Sequence, residues 1–424
     1  MTKVAVFESA DASGLPDLLD AAADWCELVV VNAGPQPWTA EEREGVADLA
    51  EVVDAAGRPA ADVAAELAAL EVDGVVTLED EWIPLVASVA ARLDLPYHSE
   101  AAAEAVTHKD VQRARLADTG LGVRAAAFTD EAGLVAAIAA VGFPAVLKPV
   151  RGNGSLNVYT VDDEAGLRAA LAEATGTAPT SRGNFRLGHG SRGAQKWLLE
   201  ERLIGVPHPA GDWLSDHFSV EVLSLGEDDH WPFWVSDRFP LIPPLRETGM
   251  TGPSLLPWET QRLAGERAGA ILTALGVTTG VSHLEFKLTA TGPRLIEVNG
   301  RLGGFLSSIV PHLSELNPVR LVLEAAVGKA ERRPVVADGY AACAFTHCPT
   351  TGGRITALAD PAELMRQPGV WRVDVRCAVG DEPDYRTGTN GRLQNVWLDG
   401  ATGDELRAAY LAADAFTAEG NRFE

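Results

Sequence analysis

Cations are in short supply in this 424-residue chain, where 35 Lys and Arg face 60 Asp and Glu for a formal net charge of −25. That balance argues against a nucleic-acid backbone or an anionic membrane as partner. Any anionic ligand must then be captured by local cations and backbone amides. Cysteine is sparse as well. Cys26, Cys343, Cys348 and Cys377 show no CxxC spacing, so free thiols in a cytoplasmic protein are the expectation. No run of ~18 apolar residues reads as a membrane span. The opening MTKVAVFESADASG lacks the charged-then-apolar pattern of a secretory signal. GxxxxGK followed by Ser or Thr is absent, which excludes a P-loop. The first apolar strand runs into ESADASG rather than GxGxxG, which argues against a dinucleotide site.

With 46% hydrophobic and 22% charged residues, a chain of this length can bury cores for two or three domains. Residues 1–106 alternate the apolar runs KVAVF, ELVVV and DGVVT with Ala-rich stretches near 15–25, 60–70 and 82–93. This predicts a small doubly wound α/β layer. A second unit opens at THKDVQRARLADTG, where Thr107 is expected to cap a helix that stops at Gly120. Lys109 falls in its first turn, where the helix macrodipole disfavours a cation by roughly a few tenths of a kcal/mol. That oddity suggests a functional cause. Next come a helix near 132–141, the strand PAVLKP, a glycine-bearing turn in VRGNGSLNVYT and a long polar loop over 172–195. The Arg-rich part of that loop, 182–192, reads as solvated. Strands in KWLLEERLIG and HFSVEVLSL, a loop over 240–257 and a helix over 259–275 follow. A hairpin and one helix after Pro311 close the unit near residue 330. Beyond it a smaller α+β segment is expected, ending in a helix over 404–415.

The stretch HLEFKLTATGPRLIEVNGRLGG, His283 to Gly304, carries the strongest chemical signal. Alternating polarity on either side of Thr-Gly-Pro predicts a β-hairpin. A register pairing Glu285 with Glu297 also sets His283 opposite Asn299, with all four side chains on one face. Carboxylates ~5 Å apart repel by about 3 kcal/mol at an effective dielectric of ~20. Two carboxylates and an amide oxygen are hard ligands for Mg²⁺, which would remove that repulsion. Deleting either carboxylate is therefore expected to relieve strain in the metal-free chain. Arg301 follows at the same parity, where a guanidinium suits an anionic group in a transition state. Lys148, in an apolar strand, precedes a turn whose backbone amides can face phosphate oxygens. His283 is expected beside Asn299, behind the ligands. His108, His189, His208 and His312 are read as surface or packing residues.

Together these residues resemble the ATP-grasp superfamily. The matches are Lys109 in THKDVQRARL, Lys148 in FPAVLKPVRGNGSLNV, LLEERLIG at 198–205, and Glu285 followed by Glu297-x-Asn299-x-Arg301-x-Gly303-Gly304. They agree in order and spacing over roughly residues 1–330. The hairpin and DRFPLIPPLRETGMTGPSLLP are most similar to the carboxylate–amine ligases that join amino acids into dipeptides. Residues 331–424 are similar to the C-terminal region of that group. The resemblance implies an ATP-grasp fold of mixed α/β and α+β character. Its parts would be an N-terminal doubly wound domain over 1–106, an ATP-grasp domain over 107–330 with a mobile lid at about 145–205, and an α+β subdomain over 331–424.

The same resemblance implies the site. ATP would lie between two subdomains, with Lys109 and Lys148 on its phosphates and Gly152, Gly154 and Ser155 in the lid loop above them. Glu200, Glu201 and Leu203 would form the hinge strand that binds adenine. Glu285, Glu297 and Asn299 would hold two Mg²⁺ ions, with Mn²⁺ as a substitute. Arg301, Glu297 and Lys148 would be catalytic; Glu247, Arg301, Gly303 and Gly304 would meet substrate. Two departures stand out. Val206-Pro207 occupy the place of the family's ribose-binding acid, leaving that role to Asp216 or Asp212. Met250 stands where dipeptide-forming members often carry His, which leaves the amino substrate open. The implied reaction joins a small carboxylate to a small amine through an acyl phosphate, releasing ADP and phosphate. A homodimer is left open. A phosphotransferase and a non-catalytic nucleotide-binding module are the alternatives.

Overall fold

The computed structural model describes residues 1–8, 14–34, 39–176 and 195–424. Its first layer is a four-stranded parallel sheet ordered Glu51–Asp54, Cys26–Asn32, Thr2–Glu8, Gly74–Val76. The edge strand Glu51–Asp54 has only four residues and escaped the sequence reading. Helices cover both faces. Val63 and Leu67 of Ala60–Ala69 and Val86 and Val89 of Ile83–Leu93 pack on Phe7, Val29 and Val31. Leu18 of Leu15–Ala22 packs with Val4, Val6 and Leu28 on the opposite face, which Leu321 and Val322 of Pro318–Ala326 also help cover.

The helix that carries Lys109 starts differently from the expectation. Ser99 caps a preceding helix, Glu100–Thr107, by accepting from Ala102 N. The Thr107 hydroxyl donates to Ala103 O at 2.7 Å, so it ends that helix instead of capping the next. Lys109–Leu116 begins with no side-chain cap, and Lys109 N donates to Val150 O at 3.0 Å. That bond ties the helix start to the loop after Lys148.

Residues 125–201 build a second, antiparallel sheet ordered Ala125–Phe128, Trp197–Glu201, Ala145–Pro149, Tyr159–Val161. Helices Glu131–Val141 and Glu164–Gly176 pack on it through Leu134, Ala137, Leu167 and Ala170. The second helix runs through 172–176, which were expected to be loop; its Ala-rich sequence favours helix. Residues 177–194, with His189 and the Arg-rich run, lie outside the described residues.

The third sheet has eight antiparallel strands, ordered Gly292–Asn299, Gly280–Thr289, His217–Ser224, His230–Arg238, Gly249–Gly252, Tyr340–His347, Arg392–Gly400, Val370–Val375. The four-residue strand Gly249–Gly252, inside the expected 240–257 loop, bonds the chain after residue 331 into the hairpin's sheet. Two helices follow the hairpin where one was expected. Leu306–Leu313 already contains Pro311, and Asn317 caps Pro318–Ala326 by accepting from Val319 N and Arg320 N. Among the described residues no helix is long and apolar enough to cross a membrane.

Candidate active site

The hairpin adopts the expected register, with Glu285 opposite Glu297 and His283 opposite Asn299. A bulge follows Glu285, beyond the ligand-bearing pairs. This wall faces the second sheet across a cavity of about 370 Å³. Lys109, Lys148, Gly152, Gly154, Ser155, Glu200, Glu201, Leu203, Glu247, Glu285, Glu297, Asn299, Arg301 and Gly304 all line it. Three of the sequence-selected residues stand outside the lining. Gly303 sits behind the wall, donating its N–H to Glu221 Oε2 at 3.0 Å. Asp216 accepts from Lys287 Nζ at 2.6 Å, and it is Lys287 that reaches the cavity. Asp212 is exposed and also outside.

The glycine loop is shaped to turn its backbone toward the cavity. Gly152, Gly154, Ser155 and Asn157 all have positive φ, a sequence of conformations that groups amides into an anion-binding concavity. Lys109 Nζ bridges the loop to the hairpin, donating to Gly152 O at 2.6 Å and pairing with Glu297 Oε1 at 2.8 Å. Lys148 is buried, with Nζ 2.5 Å from Glu200 Oε1, and Arg113 Nε takes Glu200 Oε2 at 3.0 Å. Burial, aided by Arg113 and Lys109, lowers the Lys148 pKa despite its carboxylate neighbours.

The expected repulsion between Glu285 and Glu297 is answered by protein cations. Glu285 lies 3.3 Å from His217 Nε2 and 3.4 Å from His283 Nε2. Burial alone would raise its pKa, but hydrogen bonds and charge from these two histidines hold it well below the usual carboxylate range. His283 in turn is hydrogen-bonded through Nδ1 to buried Glu221. Burial depresses His283, yet Glu221 and Glu285 outweigh it and lift the imidazole to about 9. The wall is thus a chain of alternating charge rather than a bare acidic pair. The idea that deleting one glutamate relieves strain is corrected by this arrangement.

Those oxygen donors fit a divalent cation. Glu285, Glu297 and Asn299 share the cavity wall, and ligand atoms of His217, Glu247 and Glu285 lie within 4.8 Å of one another. An anion fits beside them: buried Arg238 has Nε and Nη1 without a hydrogen-bond partner among the described residues.

A family model described as the ATP-grasp N-terminal domain matches residues 20–97. The crystal structure of an L-amino acid ligase from Bacillus licheniformis superposes with a TM-score of 0.78 at 20% identity, covering 100% of this chain and 98% of that one. The chain has the ATP-grasp fold. In sequence it is 30% identical over 242 residues to uncharacterized protein y4rH of Sinorhizobium fredii, covering 55% of this chain and 44% of that protein. It is 28% identical over 277 residues to carnosine synthase 1 of Homo sapiens, covering 63% of this chain and 32% of that protein. The chain therefore spans less than half the length of these curated relatives.

Several residues of this cavity come from segments the sequence reading left aside. Asp80, beyond the strand Gly74–Val76, accepts on Oδ2 from Arg301 Nε at 2.9 Å and Nη2 at 2.6 Å. Asn153 of the glycine loop donates to the same oxygen at 3.3 Å. His217 and Arg238 enter from the central strands, and Thr389, Asn390 and Arg392 from the C-terminal segment. His217 begins the predicted strand HFSVEVLSL, but nothing in that run marks it as facing a carboxylate 68 positions later.

The C-terminal segment also clasps the glycine loop. Thr389 N donates to Gly154 O at 2.8 Å, and Glu247 N donates to Thr389 Oγ1 at 3.3 Å. Tyr385 OH donates to Glu173 Oε1 at 3.0 Å, reaching the helix Glu164–Gly176. Gly388, at φ +66, leaves no room for a side chain: a Cβ would sit 2.3 Å from Gly154 O. Gly388→Ala should push the loop outward and raise the KM for ATP about three- to tenfold, with a loss of about 1 kcal/mol in stability. Steady-state kinetics and urea unfolding check this, and an unchanged KM would show that the clasp does not shape the loop.

Proposed function

We propose that the chain is an ATP-dependent carboxylate–amine ligase that forms an amide bond through an acyl phosphate, with an amino acid or peptide as one partner. One observation carries the reading. A single cavity gathers three hard oxygen donors (Glu285, Glu297, Asn299), two lysines, a positive-φ glycine loop and Arg301, with the acid Glu247 in the same lining. The names of relatives support the substrate class, one being an L-amino acid ligase and another a carnosine synthase.

In this reading a substrate carboxylate oxygen attacks the γ-phosphorus of ATP, ADP leaves, and an acyl phosphate forms. The amine nitrogen then attacks the acyl carbon, phosphate leaves, and the amine sheds a proton to give the neutral amide. Glu285, Glu297 and Asn299 would hold Mg²⁺, which supplies charge neutralisation on the phosphates. The reading takes two ions, with Mn²⁺ as a substitute. Lys109 and Lys148 hold phosphate oxygens, and the loop of Gly152, Gly154 and Ser155 excludes water above them. The strand of Glu200 and Glu201, with Leu203 beyond it, seats the adenine. Arg301 faces the transferred phosphoryl group and the tetrahedral adduct. Asp216 acts on the ribose side through Lys287.

The test is ADP release screened against pools of carboxylates and amines, with mass spectrometry of the product. ADP and orthophosphate formed only when both partners are present is the expected result. AMP with pyrophosphate would sink the acyl-phosphate route. A phosphorylated product that accumulates with the amine present would establish a phosphotransferase instead.

Glu247 is assigned to the ammonium group of the amino-acid substrate. Its carboxylate lines the cavity 4.0 Å from Arg238 Nε, and its carbonyl accepts from His347 Nε2 at 2.7 Å, which fixes the backbone. Glu247→Gln should raise the KM for that substrate about tenfold, the size of one lost charge-assisted hydrogen bond. Unchanged KM values for both organic substrates would remove the assignment.

A further inference from the structure

Glu285 has a nitrogen neighbour that the oxygen-donor wall does not need. His217 opens the strand His217–Ser224, and the register sets His217, Ser219 and Glu221 opposite Lys287, Glu285 and His283 of the hairpin. Alternate positions share a face, so HFSVE turns an imidazole, a hydroxyl and a carboxylate the same way. Glu221 is matched to His283 and to the Gly303 amide. His217 is not matched so well. It is only 5% exposed and lines the cavity, yet its buried Nε2 finds no well-aligned hydrogen-bond partner among the described residues. The two oxygens of Glu285 are divided: Oε2 lies 3.3 Å from His217 Nε2, and Oε1 lies 3.4 Å from His283 Nε2.

A second carboxylate closes on the same nitrogen. Glu247 enters from the loop before Gly249–Gly252, its backbone held by Thr389 and His347. Its Oε1 stays 4.0 Å from Arg238 Nε, beyond hydrogen-bond reach, so its acceptors remain free. Ligand atoms of His217, Glu247 and Glu285 lie within 4.8 Å of one another. One nitrogen and two carboxylates differ in kind from the oxygen set of Glu285, Glu297 and Asn299. Mg²⁺ takes oxygen ligands, whereas Mn²⁺, Co²⁺ and Zn²⁺ accept imidazole readily. We propose that His217, Glu247 and Glu285 form a second kind of metal site, which binds a first-row transition ion in preference to Mg²⁺. The ion meets the lone pair of the neutral His217 ring, and the contact of Glu285 Oε1 with His283 stays in place. This goes beyond the ligase reading. It rests on that reading in one respect: Glu247 is assigned there to the substrate ammonium, so ion and ammonium exclude each other.

Co²⁺ is the probe, titrated into the full chain with Mg²⁺ in large excess and no nucleotide, and followed by calorimetry and visible absorption. The wild type should bind Co²⁺ under these conditions. His217→Gln and Glu247→Gln should each weaken binding at least about tenfold, while Glu297→Gln, which alters only the oxygen set, should stay within about threefold. No loss in His217→Gln, or an equal loss in all three, overturns the site. So does the intense absorption of a cobalt–thiolate bond, which would assign the ion to a cysteine. Should circular dichroism find His217→Gln unfolded, Glu247→Gln decides by the same thresholds. X-ray absorption of the wild-type complex should then also show imidazole bound to cobalt, and its absence overturns the site. Turnover tests the exclusion. With free Co²⁺ fixed by a metal buffer, the KM for the amino-acid substrate should rise at least about threefold while that for ATP with Mg²⁺ holds. An unchanged KM with Co²⁺ bound overturns the exclusion. The ligase reading fails separately, if the wild type makes ADP with no amine present, and the titration alone then decides the site.

Discussion

Glu297→Gln is expected to lose at least a hundredfold in kcat, and Glu285→Gln to behave alike. Both carboxylates face the cavity from paired positions of one hairpin, and in the proposed reaction they share the metal. A single uncharged replacement removes a ligand that the developing phosphoryl charge depends on. The double variant should be far from additive, because the pair acts as one site. Mg²⁺ with ATP should raise the melting temperature of either variant less than that of the wild type. Without ligand, each variant should also be less stable by about 1–3 kcal/mol. Glu297 is the carboxylate partner of Lys109 at 2.8 Å, and Glu285 lies 3.3 Å from His217 and 3.4 Å from His283; removing Glu297 leaves the buried Lys109 without a carboxylate, and removing Glu285 takes one of two carboxylates from His283. Near-normal turnover in one single variant would show that the carboxylates are not ligands. Unchanged apo stability would show that the charge alternation along the wall contributes nothing.

Asp80→Asn is expected to cost about thirty- to a hundredfold in kcat, with little change in stabilisation by Mg²⁺ and ATP. Asp80 touches neither reacting group in the proposed chemistry; it positions Arg301, whose Nε and Nη2 both converge on Asp80 Oδ2. Burial lowers the Arg301 pKa, and the charge and hydrogen bonds of Asp80 more than restore it. An amide in place of the acid keeps the shape but loses the charge-assisted pairing, and a guanidinium displaced by about 1 Å can lose a hundredfold in rate. Asp80→Glu, which keeps the charge, should recover part of kcat. In Arg301→Met, adding Asp80→Asn should cost nothing further, since the two act through one contact. Full activity in Asp80→Asn, or an additive double variant, would show that the pair only joins the first domain to the hairpin.

Much of the site was legible because its strongest signals are local. The hairpin register follows from period-2 alternation on both arms, within 22 residues, His283 to Gly304; the turn itself is Ala290-Thr291, one step earlier than the expected Thr-Gly-Pro, since Gly292 and Pro293 already pair with Thr289 and Leu288. A one-residue slip would have turned its apolar set away from the core. Lys148 betrayed itself as a cation in an apolar strand, and Lys109 as a cation at a helix start. Three of the four parallel strands of the first layer were legible from apolar runs alone; the short edge strand Glu51–Asp54 was not. Local signals also misled where two local bonds compete. Thr107 has the right residue type for a cap, but its hydroxyl found the carbonyl of Ala103 in the helix already formed.

The sequence by itself determined which side chains of the hairpin and of the strand Ala145–Pro149 face the cavity, since side-chain alternation acts over a few residues. Tertiary structure alone decided how those charges are balanced. Asp80 reaches Arg301 across 221 positions, His217 reaches Glu285 from a neighbouring strand, and Thr389 reaches Gly154 from the C-terminal segment. Those partners are set by strand order, and strand order is set by the packing of apolar faces far apart in the chain. No local pattern encodes which distant carboxylate will stand beside a given cation. The glutamate pair thus looked like stored repulsion in the sequence, and the fold makes it part of a balanced row of charge.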